Sequence, residues 1–267
     1  MNQSLVTSDG WNQLRRCTSA RIALGRAGGS LPTHEWLKFK AAHAAAREAV
    51  HCEFDADTLA AQIALLGVDV VVLDSAASDR ATFLQRPDLG RRLSDPSRWQ
   101  LQQLAVPEKT PDLVIVVSDG LSALAVDRQV PPLLAALLPK LAADKWQLAP
   151  IIVVRFGRVA LQDEIGQVVG ARLALTLLGE RPGLGSPDSL GAYLVHGPRI
   201  GNTDANRNCV SNIRPEGLAL DVAAETICYL LTESRRRGLS GVQLKDQRAV
   251  TQELRLGVGR TEPAELP

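Results

Sequence analysis

Residues Leu173–Leu178, Leu-Ala-Leu-Thr-Leu-Leu, form an almost unbroken apolar run, and Gly179-Glu-Arg-Pro-Gly-Leu-Gly185 follows at once. A run without polar alternation predicts a strand covered on both faces, as in the parallel core of an α/β sheet. In open α/β sheets ligands bind in the crevice beyond the carboxyl ends of the strands. The loop after this strand brings one carboxylate, one guanidinium and three glycines to that edge, with Glu180 at its start.

The flanking chain repeats the same unit. Leu113–Val117 predicts a strand closed by Ser118-Asp119-Gly120, Leu121–Val126 begins a helix, and Ala135–Lys145 completes the crossover. Ala149–Arg155 is the next strand, Gly157–Val159 its turn and Gln162–Val169 the following helix. Alternation of this kind implies parallel strands with helices on the faces. The loops Ser118–Leu121, Phe156–Val159 and Glu180–Gly185 are therefore expected on one rim. Tyr193–Val195 and Asn208–Ile213 read as short additional strands, before a helix from about Leu218 to Arg236. Arg235-Arg236-Arg237-Gly238 ends that helix, with cations at the negative end of the dipole and glycine as the stop.

Upstream, Thr33 is placed to cap a helix over His34–Val50, and Asp57–Leu66 reads as a second helix stopped by Gly67. Val68–Leu73 reads as a buried strand, and Asp95-Pro96 as another helix start. The expected fold is α/β: a mostly parallel, Rossmann-like sheet flanked by helices, with a smaller, predominantly helical N-terminal part. The expected divisions are a helical region over 1–94, an α/β domain over 95–244 and a tail over 245–267.

With 30 basic and 29 acidic residues the net charge is +1, which gives no field favouring nucleic acid or an anionic membrane. Apolar segments such as Pro131–Leu138 fall short of the ~18 residues that span a bilayer, and no secretory signal is visible, so an intracellular, cytoplasmic location is expected. Cys17, Cys52, Cys209 and Cys228 have no C-x-x-C spacing and read as free thiols. His34, His43 and His51 lack the carboxylate or thiol that would complete a metal set, so no metal site is expected.

Gly183-Leu-Gly185-Ser-Pro-Asp188 lacks the third glycine of a dinucleotide fingerprint, and Pro187 interrupts the helix that should receive a pyrophosphate. No Lys-Ser/Thr pair completes a Walker loop, and Ser118-Asp119-Gly120 only loosely resembles a nucleophile turn. Three arginines in Arg86–Arg92 could grip an anion, or be a solvated loop or subunit contact. The residues alone thus describe a binding rim without a catalytic set, for a large ligand bearing amides or hydroxyls.

The segments Thr18-Ser-Ala-Arg-Ile-Ala-Leu-Gly-Arg-Ala-Gly-Gly29, Arg86-Pro-Asp-Leu-Gly-Arg-Arg-Leu93, Val117-Ser-Asp-Gly-Leu-Ser122, Gly179-Glu-Arg-Pro-Gly-Leu-Gly185 and Cys209-Val-Ser-Asn-Ile213 resemble, in order, the light (small) subunit of ethanolamine ammonia-lyase. The likeness extends from about Leu14 to Leu244. It implies an adenosylcobalamin enzyme that converts ethanolamine to acetaldehyde and ammonia by a radical route. In that family the heavy subunit, a (β/α)8 barrel, holds the substrate, and the light subunit supplies the other wall of the cobalamin site. The implied partner is therefore a heavy subunit in a hetero-oligomer, without nucleic acid or membrane.

The family's cobalamin contacts carry over to Val159 in Arg155-Phe-Gly-Arg-Val-Ala160, Glu180 in Gly-Glu-Arg-Pro-Gly, and Cys209 in Arg207-Asn-Cys-Val-Ser-Asn212. No catalytic residue is assigned to this chain. The absence of an Asp-x-His-x-x-Gly motif agrees with a cofactor that keeps its own dimethylbenzimidazole on cobalt. Some members carry a long N-terminal extension associated with a bacterial microcompartment, whereas this sequence reaches Arg15-Arg16-Cys17-Thr18 almost at once, so a free cytosolic complex is expected beside the packaged alternative. The reading that competes with this one is a stand-alone nucleotide- or cofactor-binding α/β protein without a lyase partner.

Overall fold

The computed structural model describes residues 5–104 and 110–248. Six strands make one sheet: β1 (Val70–Asp74), β2 (Leu113–Ser118), β3 (Ile151–Arg155), β4 (Leu173–Gly179), β5 (Leu190–His196) and β6 (Arg207–Ile213), in the spatial order β1-β3-β2-β4-β5-β6. The first four are parallel, as expected, while β5 and β6 are antiparallel to their neighbours, so the sheet is mixed. The reason is connection length. Only the loop from Glu180 to Ser189 separates β4 from β5, with no helix in it. A parallel return needs a crossover of a dozen residues or more. β1 comes from the N-terminal stretch and sits at the sheet edge, so only Leu73 of its five residues is buried, less than its Val-rich sequence suggests.

One face of the sheet carries Leu113, Ile115, Val117, Leu173, Leu175 and Leu177, packed under α2 (Ala56–Ala64), α5 (Ala123–Ala143) and α7 (Leu220–Arg237). The other carries Val114, Val116, Ile152 and Ala174 under α4 (Asp95–Leu104) and α6 (Leu161–Val169). Burial on both faces explains why β2 and β4 read as continuous apolar runs. α5 is one helix although Pro131, Pro132 and Pro139 lie inside it, where the sequence suggested two pieces. Its apolar side is sealed from Ala123 to Leu141, and that packing outweighs the hydrogen bonds the prolines remove.

α1 (Thr33–His51) begins at Thr33, with Pro32 before it and no side-chain cap, so the expected threonine cap is not made. α2 instead has a true cap: Asp55 accepts from Thr58 N at 3.0 Å. At the other end of the chain Gly238 closes α7 with φ 67°. Arg236 and Arg237 pair with Glu233, and Arg235 stacks over the Trp146 ring at 4.0 Å. Most of the tail anticipated from residue 245 lies outside the described residues.

Candidate functional site

The register levels the strand ends. Ser118 of β2 pairs with Leu178 of β4 and Val154 of β3, so their following loops emerge side by side. The turn after β2 ties them together. Ser118 Oγ accepts from the Gly157 amide at 2.8 Å, and Asp119 Oδ1 accepts from the Phe156 amide at 2.7 Å. These bonds hold Phe156 in the left-handed region, φ 60°, a conformation that a bulky residue rarely adopts unless it is held. Burial pushes the Asp119 carboxyl up to about 6, against the opposing pull of Arg80 and the Phe156 amide.

On the other side, the turn approaches β4 backbone to backbone. The Leu121 amide donates to the Gly179 carbonyl at 2.9 Å, and a Cβ on Gly179 would collide with the carbonyl oxygens of Asp119 and Ser122. Only glycine fits there. The glycines of the loop have unlike duties, since a Cβ on Gly185 would meet nothing. The segment from Gly183 to Ser186 closes on itself through reciprocal backbone bonds of 3.1 and 3.2 Å, and strand β5 follows instead of a helix. No helix N-terminus is therefore offered to a pyrophosphate here, as the defective fingerprint implied.

Between these loops lies a cavity of about 400 Å³ whose walls include Leu121, Arg158, Val159, Glu180, Arg181 and Tyr193. Glu180 stands half-buried at the end of β4. Its Oε2 accepts from Ser189 Oγ at 2.5 Å and from the Asn212 amide at 3.2 Å, while no donor among the described residues reaches Oε1. Gly191 makes room for this carboxylate, because a Cβ there would lie 2.8 Å from both Glu180 Oε1 and Tyr193 Cε2. The Val159 carbonyl accepts from the Gln162 amide at 3.3 Å in the first turn of α6, and the Val159 amide has no partner among the described residues. The free backbone group is thus the donor, not the carbonyl.

Cys209 sits on β6 directly opposite Tyr193. Its residue surface is largely exposed, yet the thiol is tucked against the phenol; that desolvation, with the Glu180 charge, raises its pKa and keeps it neutral. The same surroundings push the Tyr193 hydroxyl up, burial first and then Cys209 and Glu180. Val159 and Glu180 therefore share one cavity, and Cys209 reaches it through the side chain of Tyr193.

Sequence reasoning overlooked Tyr193 and Arg158 as walls. Arg158 lies over the Phe83 ring at 4.1 Å and donates to the Phe83 carbonyl at 3.1 Å, and its buried Nε has no partner among the described residues. Its amide donates to Gly90 at 2.7 Å, which brings the arginine loop against the rim. Arg86 in that loop is matched by Asp88 at 2.8 Å and stays exposed. Among the described residues no group of three His, Cys, Asp or Glu side chains could hold a metal ion. His34 stands 3.2 Å from Glu35.

The chemistry of the walls suits a large ligand carrying carboxamides: an open carboxylate oxygen, an open backbone amide, and the apolar bodies of Leu121, Leu178 and Tyr193.

A family model described as "Ethanolamine ammonia-lyase light chain (EutC)" matches residues 8–245. A protein of Azotobacter vinelandii (strain DJ) called "Ethanolamine ammonia-lyase small subunit" is 55% identical over 250 residues, covering 93% of each chain. Proteins of the same name from Pseudomonas fluorescens (strain Pf-5) and Pseudomonas putida (strain W619) are 55% and 54% identical, over 90% and 94% of this chain and 88% and 93% of theirs.

Proposed function

Since the chain belongs to the ethanolamine ammonia-lyase light-chain family and is a subunit of an ammonia-lyase, we propose that its strand-end rim forms one wall of an adenosylcobalamin site. A large subunit supplies the other wall and holds ethanolamine. The observation that carries this reading is the convergence of Val159 and Glu180 on one cavity, with Cys209 behind its Tyr193 wall.

Each residue has a definite task in that site. Glu180 Oε1 accepts from the NH2 of a carboxamide arm, its direction fixed by the bonds that Ser189 and Asn212 make to Oε2. The Val159 amide donates to a carboxamide carbonyl. Tyr193 and Leu178 cover apolar surface and exclude water, and Cys209, as a neutral thiol, fills space beside Tyr193 and leaves cobalt alone. When bound, adenosylcobalamin supplies the cobalt–carbon bond whose homolysis starts the radical deamination of ethanolamine. The chain itself orients and shields.

No helix among the described residues is long and apolar enough to cross a membrane. The same proposal puts the complex in the bacterial cytoplasm, free or within a microcompartment. The test is assembly: this chain purified together with its large subunit should bind adenosylcobalamin and deaminate ethanolamine, and each subunit alone should do neither. Deamination by this chain alone would overturn the division of labour.

A further inference from the structure

Two polar side chains lie buried behind the rim without partners. Gln162, in the first turn of α6, is fully buried, and neither Oε1 nor Nε2 has a hydrogen bond among the described residues. Thr176, in the middle of β4, is 1% exposed, and its Oγ1 is equally unmatched.

α6 packs on β4, and the two residues make no hydrogen bond to each other. A Cβ on Gly166 of α6 would stand 3.6 Å from Ala174 Cβ of β4. α6 descends from the rim while β4 rises toward it. Four residues back along the helix is ~6 Å, and two residues forward along the strand is ~6.6 Å. The next residues toward the rim on the faces of Gly166 and Ala174 are Gln162 on α6 and Thr176 on β4. One step higher are Val159, whose carbonyl receives the Gln162 amide, and Leu178, both walls of the cavity. Tyr193, a third wall, is the register partner of Thr176 on β5.

A buried carboxamide with both ends unpaired is a liability that an apolar side chain of the same size would remove. Gln162 does not itself line the cavity, but its backbone amide is bonded to Val159, which does. We infer that Gln162, backed by Thr176, receives a primary carboxamide arm of the corrinoid through the cavity floor between Val159 and Leu178. Nε2 donates to the arm's carbonyl, Oε1 accepts from its NH2, and the Thr176 hydroxyl meets the remaining polar edge. This rests on the rim's proposed role as a cobalamin wall.

The experiment compares the unaltered complex, with its large subunit, against complexes carrying Gln162→Leu or Thr176→Val. Adenosylcobalamin affinity is read by spectroscopic titration, and stability without cofactor by thermal unfolding. The inference expects Gln162→Leu to weaken affinity tenfold or more while the unfolding temperature holds or rises, and Thr176→Val to weaken it severalfold. Unchanged affinity in both variants overturns it, and a bound water then accounts for the pair. A parallel loss of affinity and stability also overturns it, since that marks a structural role alone. Absence of cobalamin binding by the unaltered complex sinks the cobalamin wall itself, and this inference with it.

Discussion

Arg80 and Asp119 form an ion pair that joins the helix α3 (Arg80–Gln85) to the turn after β2, Nη1 to Oδ2 at 2.8 Å, with the carboxylate almost wholly buried. The same guanidinium donates to the Gly120 carbonyl at 2.6 Å and, through Nε, to the Val50 carbonyl at 2.7 Å. One side chain thus ties the end of α1 to the rim. Removing a single member of a buried pair strands the other, which costs about 3–5 kcal/mol. Asp119→Ala should lose stability of that order in urea unfolding, and a change below about 1 kcal/mol would show that the pair contributes little.

Asp119 also imposes a pH dependence. Its carboxyl is raised to about 6 in the folded chain, whereas an unfolded aspartate titrates near ~3.9. The folded state therefore holds the proton more tightly. This contribution to stability is complete below the unfolded pKa and fades as pH rises through the folded one, by at most ~1.4 kcal/mol per unit. Asp119→Asn should show a flatter stability profile between pH 4 and 6 than the unaltered chain. Parallel profiles would assign the slope to other groups.

The two loop glycines should behave differently. Gly179→Ala places a methyl group against the Asp119 and Ser122 carbonyls, so the β2 and β4 turns must part. A loss of about 2 kcal/mol or more, typical of overpacking, is expected together with weakened cobalamin binding by the complex. Gly185→Ala meets open space and should match the unaltered chain within about 0.5 kcal/mol. Equal effects would contradict the close-approach reading.

Glu180→Gln keeps an oxygen for Ser189 and Asn212 but replaces the acceptor facing the cavity with an NH2 donor. Cobalamin affinity of the complex should fall about tenfold, consistent with the loss of a charge-assisted hydrogen bond, while the fold is retained. Glu180→Ala additionally releases Ser189 and Asn212, so its effect mixes affinity with loosening of β4 against β5 and β6. Intact affinity in the glutamine variant would remove Glu180 from the site.

Much of this arrangement is legible in the chain. The apolar runs of β2, β3 and β4 and the turns at Ser118, Gly157 and Gly179 are local signals, because a strand buried on both faces must be apolar throughout. Side-chain contacts between distant segments leave no such mark. Tyr193 looks like an ordinary strand residue, and nothing near it announces that an antiparallel β5 will stand it between Thr176 and Cys209. Arg158 becomes a wall only because Phe83, far away in sequence, supplies the ring beneath it. The missing cap at Thr33 and the unbroken α5 are cases where packing overruled a local preference.

By itself the sequence determined that strands alternate with helices and that their loops share a rim, because periodicity and turn residues are short-range properties. The tertiary structure alone decided the reversal of β5 and β6, the pairing of Arg80 with Asp119, and the burial of Gln162 behind the cavity. Each of these depends on which segments meet across the sheet, and that follows from the summed packing of the whole chain.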